Sequence, residues 1–173
     1  RYYQRSLGEI ALMALPPQLR DLQPEQLARR LRRPASASPA DANPADANPV
    51  PLVDLSEEQE SARAQIAAQP GPFLLFGSTG SGKTEVYLRC VQAALDAEPV
   101  NAIAPQALVM VPEINLTPQL QERFTARFGE DSVVSLHSGM TNPQRLKNWL
   151  AAHSGSARIV LGTRMAVFAS IPG

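Results

Sequence analysis

The chain has 173 residues and a mass of 18.7 kDa, room for one sizeable core plus a tail and too little for two large domains. Its 16 Lys and Arg balance 16 Asp and Glu, so the composition gives no sign of a globally basic nucleic-acid binder or of an acidic solvating protein. A single cysteine, Cys90, excludes an internal disulfide framework and a Cys-rich zinc module and suits a reducing cytosolic setting; no apolar run nears the roughly 18 residues of a membrane-spanning helix, and no signal peptide pattern opens the chain.

Zero net charge is a sum over unlike segments. Residues 1 to 33 carry seven Arg and three acids, residues 34 to 62 carry six acids and no base, and the remainder carries nine bases and seven acids. Fourteen of the bases are Arg and only two, Lys83 and Lys147, are Lys, which makes each lysine informative.

In chain order, the opening stretch RYYQRSLGEIALMALPPQLR is apolar enough to pack, but about 15 residues do not bury a core unaided, so it reads as the end of something larger. In EQLARRLRR, Leu27 and Leu31 stand four apart among Arg29, Arg30, Arg32 and Arg33, which predicts a short basic amphipathic helix. Residues 34 to 51 hold five prolines and a tandem Pro-Ala-Asp-Ala-Asn repeat; so little apolar surface does not offset ordering entropy, and a disordered linker over 34–54 is expected.

The pattern then changes. Ser56 followed by acids predicts a capped helix start. Apolar runs at Phe73–Phe76, Ala107–Val111, Val133–Leu136 and Ala157–Leu161 predict buried strands. Between them, helical spacing runs through Leu88, Val91 and Leu95, through Leu120, Phe124 and Phe128, and through Leu146, Trp149 and Leu150. Strand alternating with helix predicts an α/β fold with a parallel sheet and crossover helices.

The strongest chemical signal is FLLFGSTGSGKTEVY, in which Gly77, Gly82, Lys83 and Thr84 complete G-x-x-x-x-G-K-[ST] after an expected strand and at the opening of an expected helix. Gly77, Gly80 and Gly82 permit torsions and close approach that a Cβ blocks, so successive amides can turn toward phosphate oxygens. The helix N-terminus favours an anion. Lys83 supplies a compact charge for the β- and γ-phosphates, and Thr84 a hydroxyl for Mg2+. Hydrolysis also needs a carboxylate at the end of a neighbouring strand. No acidic pair follows an apolar strand here, and Glu130-Asp131 precedes one, which puts it at the wrong end of a parallel sheet.

LSEEQ at 55 to 59, LFGSTGSGKTEVYL at 75 to 88, ALVMVPEINLTPQL at 107 to 120, LHSGM with Arg145 and Trp149, and IVLGTRMAVFA at 159 to 169 occur in this order. Together they resemble the primosomal protein N' (PriA) replication-restart DNA helicases of superfamily 2. The resemblance implies a RecA-like P-loop NTPase fold, here an incomplete first helicase lobe over 55–173. Residues 1–33 would then be a remnant of the family's N-terminal DNA-binding domain plus the basic helix. It further implies an ATP-driven 3' to 5' translocase that reloads the replication machinery at abandoned forks, with single-stranded and forked DNA, primosome proteins and single-strand-binding protein as partners. A cytoplasmic, nucleoid-associated monomer is expected.

Carried onto this sequence, Gln59 would read adenine, and Gly77, Ser78, Thr79, Gly80, Ser81, Gly82, Lys83, Thr84 and Glu85 would bind ATP and Mg2+, with Lys83 and Thr84 catalytic. Thr117, Gly162, Thr163 and Arg164 fall where this superfamily grips the DNA backbone; Thr117 also reads as a helix N-cap and Arg164 as half of a surface ion pair. His137 reads as a structural turn or strand-end histidine. The family's D-E-x-H motif is expected just past Gly173. Its second lobe, with zinc-binding cysteines, lies outside this sequence, so zinc is implied only there and the 173-residue chain is expected to be inactive by itself. Residues 34–54 also stand where the family carries a winged-helix domain. The alternatives are a noncatalytic nucleotide-binding or DNA- or protein-interaction module, and a different superfamily 2 translocase.

Overall fold

A computed structural model describes residues 9, 12, 15–20, 22–32, 53–99, 103–112 and 117–172. Residues 34–52 of the linker expected over 34–54 and residues 1–8, 10, 11, 13, 14, 21 and 33 of the N-terminal remnant lie outside the described residues, as do Glu113 to Leu116 of the PEINL element.

Helix α1 (Pro17–Arg20) and the basic helix α2 (Pro24–Arg32) come first. Helix α3 (Glu57–Ala68) starts where its chemistry says it should: Ser56 accepts from the Gln59 amide and Gln59 accepts from the Ser56 amide, a reciprocal cap on two otherwise unpaired donors. Helix α4 (Lys83–Leu95) then leads to β1 (Ala107–Met110), α5 (Pro118–Phe128), β2 (Val133–Leu136), α6 (Asn142–His153) and β3 (Ile159–Gly162). A 3-10 turn over Arg164–Phe168 closes the series. Thr117 caps α5 through Leu120 and Thr141 caps α6 through Gln144, each with a proline in the first turn where no donor is lost.

The three strands form one parallel sheet in the order β1-β3-β2, with Ala107 and Val133 both in register with Ile159. The central strand β3 is buried throughout, as a strand covered on both faces must be. Its residues alternate between two cores. Ile159 and Leu161 pack with Leu88, Val91 and Leu95 of α4, Phe124 of α5 and Val133. Val160 packs on the opposite face with Leu136, Ala152 of α6 and Ala166 of the 3-10 turn. Helices therefore cover both faces, and the loops at the C-terminal ends of all three strands open toward one rim.

One expected strand is not part of this sheet. Residues 72–78 pair with no strand among the described residues, and Leu74 and Phe76 are 90% and 92% exposed. An apolar run specifies a strand only when a neighbouring edge takes its hydrogen bonds, and no described strand flanks it. The remaining strands and helices lie where the periodicity places them, with ends shifted by a few residues.

Candidate functional site

The glycine-rich loop runs from Gly77 to Gly82 and feeds directly into α4. Gly80 and Gly82 have φ of 83° and 76°, the left-handed region in which a side chain is strained. A Cβ at Gly77 would sit 2.7 Å from Ser81 Oγ, and one at Gly82 would collide with the Gln59 amide. No side chain caps α4, so the positive end of its backbone dipole opens into the loop.

Within the loop, Lys83 Nζ donates to the carbonyls of Gly77 at 2.7 Å and Ser78 at 2.6 Å and approaches Ser81 Oγ at 3.5 Å. The ammonium thus sits at the centre of the loop, held by neutral oxygens and, among the described residues, by no carboxylate. Gln59 closes one side: its Nε2 donates to the Ser81 carbonyl at 3.0 Å while its Oε1 serves the α3 cap. The sequence-predicted residues Gln59, Gly77, Ser78, Ser81, Gly82 and Lys83 are therefore brought into one site, with Thr79 and Gly80 on its exposed crest and Thr84 beside Lys83 in the first turn of α4.

Glu85 turns elsewhere. Its carboxylate accepts from Arg89 at 3.1 Å and from Arg127 of α5 at 2.7 Å. Burial pushes the Glu85 carboxyl up, but the hydrogen bonds from Arg127 and Arg89 outweigh it and hold the group below its ordinary value of 4.5. Its part in the site is to fasten the start of α4 to α5. Sequence spacing does not reveal the Arg127 brace, since 42 residues separate the partners.

At the rim, the four residues expected on a DNA backbone differ in access. Thr117 Oγ accepts from the Leu120 amide at 3.3 Å as the α5 cap, and its own proton meets no acceptor among the described residues. Gly162 ends β3 in space that admits no side chain: a Cβ would lie 2.8 Å from the Leu136 carbonyl and overlap Ala166. Thr163 is only 1% exposed and its hydroxyl finds no partner, so it faces inward under the 3-10 turn. Arg164 is exposed and makes no ion pair among the described residues. Of the two readings of Arg164, the surface ion pair finds no partner here.

Among the described residues no group of three or more His, Cys, Asp and Glu is placed to hold a metal, and no helix is long and apolar enough to cross a membrane. The residues of the glycine-rich loop do fit a nucleotide with Mg2+: Gly80 and Gly82 give it left-handed torsions, nothing fills the space beside Gly80, a lysine sits at its centre and a threonine stands next to it.

A parallel sheet with helices on both faces and its loops gathered at one rim defines an α/β lobe of the RecA-like kind. The family model for DEAD/DEAH box helicases matches residues 56–171, and the chain belongs to that family. It is similar to replication restart protein PriA of Haemophilus influenzae, 45% identical over 116 residues, which are 66% of this chain and 15% of that protein. PriA of Bacillus subtilis is 44% identical over 97 residues, 56% of this chain and 11% of that one. PriA of Synechocystis is 46% identical over 99 residues, 57% and 11%. The chain thus spans about one seventh or less of the length of these relatives.

Proposed function

We propose that this chain is the ATP-binding part of a 3' to 5' DNA translocase that acts in replication restart, with single-stranded or forked DNA as its track and primosome and single-strand-binding proteins as partners. The observation that carries it is the glycine-rich loop with Lys83 Nζ parked 2.6 to 2.7 Å from two loop carbonyls. An ammonium held by neutral carbonyls gains Coulomb attraction from exchanging them for phosphate oxygens of opposite charge. Similarity to PriA proteins supplies the restart context.

In this reading Lys83 and the amides at the start of α4 hold the β- and γ-phosphates, and Gln59 leaves Ser81 to read adenine. Thr84 would hold Mg2+, which when bound neutralises phosphate charge as the leaving group departs. Arg164 and the hydroxyl of Thr117 grip a phosphodiester backbone without reading sequence. The 173-residue chain is further expected to bind ATP and to turn it over no faster than background.

A fluorescent ATP analogue titrated into the chain tests the first half. We expect saturable binding that weakens at least tenfold in Lys83→Ala, corresponding to the loss of a charge-assisted contact of about 1.5–3 kcal/mol. Equal affinity in the variant, or turnover by this chain that depends on Lys83, would contradict the assignment.

A further inference from the structure

We infer that the cavity beside the C-terminal ends of β2 and β3 takes one nucleotide unit of a single DNA strand, with a phosphate oxygen at Arg145, His137 and Trp149 and the base against Phe168, Met165 and Pro17. The inference rests on the DNA-strand reading under Proposed function and extends it to a site that the loop and the rim residues do not include.

The cavity measures about 90 Å³, room for several waters or one planar ring. Arg145 and Trp149 stand four residues apart on α6 and line it together with His137, which follows β2. Arg145 Nε and Trp149 Nε1 are buried and have no hydrogen-bond partner. Arg145 makes no ion pair, and the His137 ring no hydrogen bond, among the described residues. A buried N–H left unpaired costs about 1–3 kcal/mol, so two of them on one cavity wall point to an absent acceptor. Among the described residues no acid lines the cavity and none pairs with Arg145, so the described lining favours an anion over a cation.

The remaining wall is apolar. Phe168 and Met165 come from the 3-10 turn that includes Arg164, and Pro16 and Pro17 from the start of α1. The indole of Trp149 is stacked on His153 at 5.2 Å and 15° between planes, and His153 is itself held 2.8 Å from Ser170 Oγ, so the N–H of Trp149 is fixed in direction. Donors beside an apolar slab suit a group that is anionic at one end and planar at the other. A nucleotide of an unpaired strand has that form, and stacking holds such bases without regard to sequence. An acidic peptide with an aromatic end has the same two features, but the cavity adjoins Arg164 at the rim along which a strand would run.

Trp149 is the only tryptophan in the chain, which gives the test its signal. Labelled oligothymidylate, and an abasic phosphodiester of equal length, are titrated into the 173-residue chain while anisotropy and tryptophan emission are read. We expect thymidylate to quench Trp149 and the abasic strand to bind more weakly. Arg145→Ala lowers affinity about tenfold and the salt slope by about 0.7. Arg145→Lys, which keeps the charge without the Nε–H, restores the slope but not the affinity, and Phe168→Ala weakens thymidylate but not the abasic strand. Binding that needs Arg164 yet leaves Trp149 emission and both Arg145 variants unchanged overturns the cavity and spares the strand reading. No binding of either oligomer overturns both. Quenching by a short acidic peptide ending in Phe, with none by DNA, reassigns the cavity to a protein partner.

Discussion

Along the outer edge of β2 the polar groups are covered by side chains: Asn148 of α6 donates to the Ser135 carbonyl at 2.9 Å, and Gln121 of α5 bonds the Ser135 hydroxyl. Along the outer edge of β1 nothing comparable is found among the described residues. Leu108 and Met110 stand 39% and 46% exposed there, and the apolar run before the glycine-rich loop is exposed as well. A strand edge capped by amide side chains resists further pairing, whereas an apolar, uncapped one invites it. The contrast also shows how the loop is held. Residues 72–78 gain no sheet pairing, so the loop is anchored from its C-terminal side, by the buried row of α4 and the Glu85 to Arg127 brace.

The largest effect is expected from Arg127→Ala, which leaves the half-buried Glu85 with Arg89 as its one described partner. Loss of one partner there costs about 2 kcal/mol in urea unfolding, and nucleotide affinity falls with it because the start of α4 loosens. Unchanged nucleotide binding in this variant would break the link between brace and loop. The same variant has a pH signature. Because Glu85 titrates below its ordinary value, its stabilisation is complete above about pH 4.5 and is lost as pH falls through the lowered folded value. Acid denaturation of Arg127→Ala should therefore be shallower than that of the parent chain.

A smaller effect tests the covered edge. Asn148→Ala leaves the Ser135 carbonyl without its donor and should cost about 1 kcal/mol in thermal unfolding, with nucleotide affinity unchanged. A loss of nucleotide binding would mean that the two edges are not independent. The smallest change in stability belongs to Leu108→Lys, at about 0.5 kcal/mol or less. Its readout is light scattering on concentration, which should drop as charge blunts the open edge.

Much of the fold is legible locally. Ser56, Thr117 and Thr141 announce helix starts through their own side chains, and Leu88, Val91 and Leu95 mark the buried row of α4 by spacing alone. The glycine-rich loop is legible for the same reason, since its torsions are written into Gly80 and Gly82. The features that escape a sequence reading require distant partners. Phe73 to Phe76 has the composition of a strand but finds no edge, and Thr163, one residue past β3, lies inward because the following turn folds over it. The meeting of His137, Arg145, Trp149 and Phe168 needs three separate elements to converge, which no spacing rule reports.

Gly162 bears on how far this sequence can drift. At Gly155, with φ of 75° and nothing within 4 Å of the place a methyl group would take, the demand is torsional, and asparagine, which tolerates the left-handed region, is an admissible substitute. At Gly162 the demand is for volume, because Ala166 and the Leu136 carbonyl occupy the place of the smallest side chain. No replacement meets it, so the link between central strand and rim is a fixed point of the sequence.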